Sequence, residues 1–95
     1  MELIATGIAG TMESGDIIIE IEGRSGGGIE IDLKSTVLSQ FGRQIRAVIE
    51  EAVAQCGIEN AFVRAVDKGA LDCTVRARVL TAAYRGAGRD DYAFI

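Results

Sequence analysis

The chain has 95 residues, of which 48% are hydrophobic and 25% charged, and its formal net charge at pH 7 is −4. This size and balance predict one small soluble domain with a single modest core. The acidic balance and the low aromatic content of 5% argue against nucleic-acid binding, and no apolar stretch is long enough to span a membrane.

The cellular compartment is indicated by the N-terminus and the cysteines. The start of the chain lacks the basic region of a signal peptide. Cys56 and Cys73 have neither zinc-like spacing nor histidine partners. We therefore expect a cytoplasmic protein with two reduced, partly buried thiols.

The first third of the chain is typical of short strands. Apolar and β-branched residues predict strands at Ile4–Met12, Asp16–Glu22 and Ile29–Leu33. The stretches ESGD and GRSGGG between them are rich in the residues that turns require. Together these features predict an antiparallel meander of three strands.

A helix is predicted after the meander because apolar residues recur at spacings of three and four. Ser35 or Thr36 suits the N-cap, and Gly57 lies where a glycine commonly ends a helix. The predicted apolar stripe consists of Leu38, Phe41, Ile45, Val48, Ile49, Ala52, Val53 and Cys56.

The rest of the chain completes the predicted fold. Ala61–Val66 alternates as a fourth strand, which can pair in parallel across the helix with a meander strand. The next segment fits a strand or a helix, and its alanine and arginine content favours a helix over Ala70–Arg85. The expected class is α+β, with one domain at residues 1–85 and a flexible tail at residues 86–95.

The sequence lacks most of the residue patterns that a free-standing enzyme would use for catalysis. The chain has no histidine, so the usual Ser-His and Cys-His nucleophiles cannot be built from it. The paired carboxylates in IEIE and IEID share a strand face, where a solvated surface is the simpler interpretation. The GRSGGG loop lacks the pattern of a phosphate-binding loop. We therefore expect no catalytic residues and no metal site.

Charge is distributed unevenly along the chain. Residues 1–33 contain seven acidic residues and one basic residue, whereas residues 62–89 contain six basic residues and two acidic ones. Two interpretations remain open: complementary docking surfaces that include Arg76 and Arg78, or two solvated faces.

Ser14 is the one side chain whose place suggests use. It lies in ESGD at the predicted tip between two strands, where a serine is commonly just a turn residue. A tip on a rigid two-stranded support is also accessible to the active site of another protein. Since an unassisted hydroxyl with no base nearby does not attack on its own, a functional Ser14 has to be modified by something else.

Three separated blocks extend this interpretation: AGTMESGDIIIEI around Ser14, SQFGRQIRAVI in the helix, and DKGALDCTVRAR after the fourth strand. In this order and spacing they resemble the citrate lyase acyl carrier proteins, the gamma subunits of citrate lyase. The resemblance covers roughly residues 8–84. Residues 1–85 are thus expected to be an acyl carrier domain.

The resemblance implies that Ser14 covalently carries 2'-(5''-phosphoribosyl)-3'-dephospho-CoA, attached by a dedicated transferase. Glu13, Gly15 and Asp16 match the motif around the attachment site. The thiol of the group would hold an acetyl or citryl thioester. The implied partners are the alpha subunit, which exchanges acetyl for citryl, and the beta subunit, which cleaves the citryl thioester to oxaloacetate.

Two other functions remain open at this point. The acyl carrier subunit of malonate decarboxylase uses the same kind of group on a serine. A plain interaction or scaffold module would leave Ser14 unmodified. A phosphopantetheine carrier of fatty acid synthesis fits less well, because those proteins are helical bundles and Ser14 precedes a β-rich run.

Overall fold

A four-stranded sheet carries two helices on one face in the computed structural model, which describes residues 1–91. The predicted α+β class and the order β-β-β-α-β-α are confirmed. The elements are β1 (Gly7–Gly10), β2 (Ile17–Gly23), β3 (Ile29–Ser35), α1 (Leu38–Gln55), β4 (Ala61–Asp67) and α2 (Asp72–Gly86).

The strand order corrects one part of the predicted meander. The order is β1-β2-β4-β3, so β4 lies between β2 and β3, which are not neighbours. β4 is antiparallel to β2 and parallel to β3, with Ala65 opposite both Ile19 and Leu33. The helical connection between β3 and β4 permits this parallel pairing. β3 alternates charged residues with apolar ones and suits an edge, whereas the more apolar β4 takes the centre.

The first strand is shorter than the predicted Ile4–Met12. Only Gly7–Gly10 pairs with β2. The backbone N–H groups of Ile4 and Ala5 instead donate to the carbonyl oxygen of Gly86, at 2.9 and 3.0 Å. The N-terminal segment is therefore attached to the end of α2 rather than to the sheet.

Both helices are present, with one corrected cap. The segment that also fitted a strand forms α2, and Gly57 has a φ of +71° directly after the C-cap of α1. The N-cap of α1 is Val37 rather than Ser35 or Thr36, although the Ser35 hydroxyl oxygen accepts a hydrogen bond from the N–H of Val37 at 3.0 Å. The Ser35 hydroxyl also donates to a carboxylate of β4, as described below.

The core lies between the sheet and the helices. Side chains from alternate strand positions meet the apolar faces of α1 and α2, including the fully buried Ile17, Ile19, Ile21, Ile49, Val53, Val63, Val75 and Val79. The predicted stripe on α1 is buried from Ile45 to Val53, whereas Leu38 and Phe41 are 47% and 52% exposed. These two residues precede the part of α1 that packs on the core.

The remaining sequence expectations concern the thiols, the tail and membranes. Cys56 is half-buried, but Cys73 is exposed, contrary to expectation, because it lies in the first turn of α2.

The flexible tail stays a prediction: α2 includes Gly86, and residues 92–95 lie outside the described residues. Within residues 1–91, neither helix has the length and hydropathy needed to cross a membrane.

Candidate functional site

Ser14 lies at the tip of the turn that joins β1 to β2. The turn spans residues 11–16, and the Ser14 side chain is exposed. The next residue, Gly15, has a φ of +83°, a conformation that side chains disfavour, and a Cβ built there would meet no atom within 4 Å. Open space beside Ser14 therefore fits a large covalent substituent.

Asp16 closes the turn beneath Ser14. It is only 8% exposed. Its Oδ2 accepts hydrogen bonds from the backbone N–H of Thr11 at 3.1 Å and the Thr11 hydroxyl at 2.7 Å, and its Oδ1 accepts one from Ile17 N–H at 2.8 Å. The Thr11 hydroxyl in turn accepts from the N–H of Glu13 at 3.2 Å. The backbone on both sides of Ser14 is thus fixed to one carboxylate.

Arg78 anchors this carboxylate to α2. Its Nε and Nη2 donate to Oδ1 and Oδ2 of Asp16, both at 3.0 Å, in the two-pronged geometry typical of strong ion pairs. The guanidinium first, and then the Thr11 hydroxyl, hold the pKa of Asp16 well below its ordinary value, against the opposing effect of burial. The turn that bears Ser14 is therefore tied electrostatically to a helix 62 residues further along the chain.

The charge pattern of the sequence left Arg78 on either a docking surface or a solvated face, and its role beneath Ser14 was not predicted. The sequence did contain a signal for this role. Arg78 lies three residues after Val75 and four before Ala82, and both of these residues are buried on the core face of α2. A cation at that helical position needs a buried or half-buried acid nearby. That the acid is Asp16 depends on the tertiary fold.

A second attachment joins the Ser14 turn to the loop between β4 and α2. The N–H of Gly15 donates to the carbonyl of Lys68 at 2.7 Å, and the N–H of Lys68 donates to the carbonyl of Asp16 at 2.8 Å. Ile17 lies opposite Asp67 in the β2–β4 ladder, and these two bonds continue the backbone pairing up to the residue after Ser14. The tip is therefore held by backbone as well as by side chains.

Asp67 stabilises that supporting loop and was not among the sequence candidates. It is 1% exposed, and it accepts hydrogen bonds from the Ser35 hydroxyl at 2.8 Å and from the N–H groups of Gly69 and Ala70 at 3.1 and 3.0 Å. The Asp-Lys-Gly turn after β4 was a signal for it. Asp67 thus joins the ends of β3 and β4 beneath the Ser14 turn.

The four predicted motif residues divide into two pairs. Ser14 and Glu13 face solvent, whereas Gly15 and Asp16 shape the turn. Among residues 1–91 no hydrogen bond is formed by the Ser14 hydroxyl, and the Asp16 carboxylate is already bonded to Thr11, Ile17 and Arg78. Within residues 1–91 the Ser14 hydroxyl is therefore exposed to solvent and without a hydrogen-bond partner.

An apolar groove lies at the same end of the sheet, between the start of α1 and the start of α2. Its volume is about 570 Å³. Phe41 and Leu71 are 52% and 72% exposed, and a hydrogen bond of 2.7 Å from Gln44 to Asp72 bridges the two helices. The lining residues are Val37, Phe41, Gln44, Ile45, Gly69, Ala70, Leu71, Asp72 and Cys73.

Known proteins resemble this chain in sequence and in fold. The family model of the malonate decarboxylase delta subunit matches residues 4–86. A solved structure of a Pseudomonas malonate decarboxylase hetero-tetramer in complex with malonate contains a chain of the same fold, with a TM-score of 0.73, 18% identity, and coverage of 85% of this chain and 82% of that one.

Curated relatives at higher identity carry one name, citrate lyase acyl carrier protein. The relative from Streptococcus uberis is 50% identical and that from Latilactobacillus sakei 53%, each over 97% of this chain and 90% of the relative. The relative from Fusobacterium nucleatum is 47% identical over 99% of this chain and its own full length. The resemblance predicted from the three sequence blocks is confirmed: the chain belongs to the family of citrate lyase acyl carrier proteins.

Proposed function

We propose that this protein is the non-catalytic acyl carrier subunit of a citrate lyase and that Ser14 covalently bears 2'-(5''-phosphoribosyl)-3'-dephospho-CoA. The observation that carries the proposal is an exposed hydroxyl, unpartnered within residues 1–91, at the tip of a turn fixed by Asp16. A covalent carrier requires this combination, because the hydroxyl has to reach a foreign active site while its support stays rigid.

In this proposal the chain positions the group and the group supplies the reactivity. During attachment, Ser14 Oγ forms a bond to the phosphorus of an activated form of the group and gives its proton to the transferase. The bond from that phosphorus to the leaving group of the activated form breaks in the same step. Once bound, the group supplies a thiol that forms acetyl and citryl thioesters. Gly15 leaves the space beside Ser14 open, and Asp16 and Arg78 keep the tip in one orientation.

The proposed partners are the transferase, the alpha subunit that exchanges acetyl for citryl, and the beta subunit that cleaves the citryl thioester to oxaloacetate. A tethered thioester has a high effective concentration at each of these sites if its reach matches the distance between them. We place the protein in the cytoplasm, which agrees with its two free cysteines, Cys56 and Cys73.

A malonate decarboxylase carrier is the second candidate. The matching family model and the fold of the Pseudomonas decarboxylase chain favour it. The identity of 47–53% to citrate lyase carriers outweighs this, because the decarboxylase chain is only 18% identical. Reconstitution with the alpha and beta subunits of citrate lyase, and separately with the subunits of a malonate decarboxylase, distinguishes the two candidates by which activity appears.

The intact mass of the protein from citrate-fermenting cells tests the proposal. We expect a mass increase equal to the phosphoribosyl dephospho-CoA group, located by peptide mapping on the fragment that contains Ser14. Ser14→Ala removes the increase and abolishes citrate cleavage. Ser25→Ala, which changes an exposed serine in the loop between β2 and β3, leaves both unchanged.

An unmodified chain from cells with active citrate lyase would contradict the proposal. So would a Ser14→Ala variant that still acquires the full mass increase. Either result would favour the scaffold interpretation or a different attachment residue.

A further inference from the structure

The apolar groove between α1 and α2 is unexplained by the role of Ser14 as an attachment point. Phe41 and Leu71 leave about half or more of their surfaces exposed there. Exposed apolar patches on small proteins commonly mark binding surfaces. The question is what covers this one.

The groove is continuous with the attachment turn. Gly15, the residue after Ser14, donates its N–H to the carbonyl of Lys68, and the next residue of that loop, Gly69, lines the groove. Ala70, which follows, lines it too and is held by Asp67. A substituent on Ser14 therefore starts beside a rigid loop that leads directly to the groove.

The charges between Ser14 and the groove also favour the substituent. Lys68 lies on this connecting loop, and within residues 1–91 its ammonium group makes no hydrogen bond or ion pair. A group attached through a phosphodiester places negative charge next to Ser14, where Lys68 can offset it. The apolar residues of the groove come later along the same path. In the group, the adenine ring likewise comes after the phosphodiester and the ribose next to Ser14, and before the diphosphate and the pantetheine chain.

We propose that this groove binds the adenine ring of the prosthetic arm on Ser14 while the carrier moves between its partner subunits. The inference rests on the proposed function. Phe41 offers an aromatic face to the adenine ring, and Val37 and Leu71 offer aliphatic surface above the buried Ile45. Binding there covers the exposed apolar surface and holds the arm against its own carrier rather than in water.

Nuclear magnetic resonance of the labelled carrier, recorded unmodified and after loading by the transferase, tests this inference. Intact mass first establishes that the sample is loaded. We expect loading to shift the ring resonances of Phe41 and the methyl resonances of Ile45, which lie on α1 and outside the attachment turn. The ring of Phe62, on β4 and outside the groove, serves as the internal reference and stays unshifted.

Matched variants separate the groove from general effects. Phe41→Ala is expected to load fully and to lose the loading-dependent shift of Ile45. Ile8→Ala removes a comparably exposed apolar side chain on β1 and is expected to keep that shift. Neither side chain belongs to the turn that bears Ser14.

The outcomes distinguish the two proposals. A loaded carrier whose shifts are confined to residues 11–16 and 67–69 would overturn the groove inference and leave the carrier function standing. Loss of the Ile45 shift in Ile8→Ala as well as in Phe41→Ala would also overturn it. A chain that the transferase leaves unmodified would overturn both.

Discussion

At the scale of single residues, the conformation of the attachment turn depends on Asp16. Its carboxylate bonds to Thr11, Ile17 and Arg78 at the same time, so it connects the turn, β2 and α2. The sequence identified Asp16 as a motif residue, since it belongs to ESGD. Its partner Arg78 could not be assigned, because no local pattern reports a contact across 62 residues.

We predict that Arg78→Gln destabilises the protein. It leaves a buried carboxylate without its cationic donor, and the loss of hydrogen bonds to a charged group costs about 1.5–3 kcal/mol. Urea unfolding followed by circular dichroism measures this loss. Arg76→Gln is the matched control, because it removes the same charge from the same helix, and within residues 1–91 the side chain of Arg76 hydrogen-bonds only to the exposed Gln55. Equal stability of the two variants would show that the Asp16–Arg78 pair contributes nothing specific.

At the scale of elements, β1 and α2 pack backbone against backbone. A Cβ on Gly7 would lie 1.8 Å from the carbonyl oxygen of Ala82 and 2.6 Å from the backbone nitrogen of Gly86. Glycine is therefore required at this position for steric reasons. No local sequence pattern reports this requirement, because the helix that Gly7 has to accommodate is distant in the chain.

We predict that Gly7→Ala forces β1 and α2 apart. Overpacking of this kind typically costs about 1–3 kcal/mol, and here the obstacle is backbone that cannot rotate away. The midpoint of urea unfolding is the measurement. Gly26→Ala, in the loop between β2 and β3, meets no atom within 4 Å and is expected to unfold like the wild type. A wild-type midpoint for Gly7→Ala would refute the close approach.

At the scale of the whole molecule, the fold brings acidic and basic segments of the chain together. Arg64 on β4 pairs with Glu20 and Glu22 on β2 at 2.5 and 3.2 Å, and Arg78 pairs with Asp16. The uneven charge along the chain is therefore partly neutralised within the protein. Arg78 in particular supports the fold, so a test of docking by charge reversal has to use Arg76 instead.

We predict an acid-sensitive contribution to stability from Asp16. Because its pKa is lower in the folded protein than in the unfolded chain, it stabilises the fold above the ordinary aspartate pKa of about 3.9. That stabilisation is lost progressively as the pH falls from there through the folded-state pKa. The difference in unfolding free energy between wild type and Asp16→Asn should accordingly shrink as the solution is acidified.

A control at an exposed position completes the acid experiment. Asp32→Asn changes an exposed side chain on β3 and is expected to alter the unfolding free energy little at neutral pH. A difference between wild type and Asp16→Asn that stays constant from neutral to strongly acidic solution would contradict the proposed linkage.

The sequence alone determined the features that depend on neighbours in the chain. Periodicity located both helices and three strands closely, the turn composition placed Ser14 at a hairpin tip, and the motif blocks identified the family. The tertiary structure decided the insertion of β4 between β2 and β3, the pairing of Asp16 with Arg78, and the groove beside Phe41. Each of these joins segments distant in sequence, and such contacts arise from packing and hydrogen bonding in the folded chain rather than from local propensity.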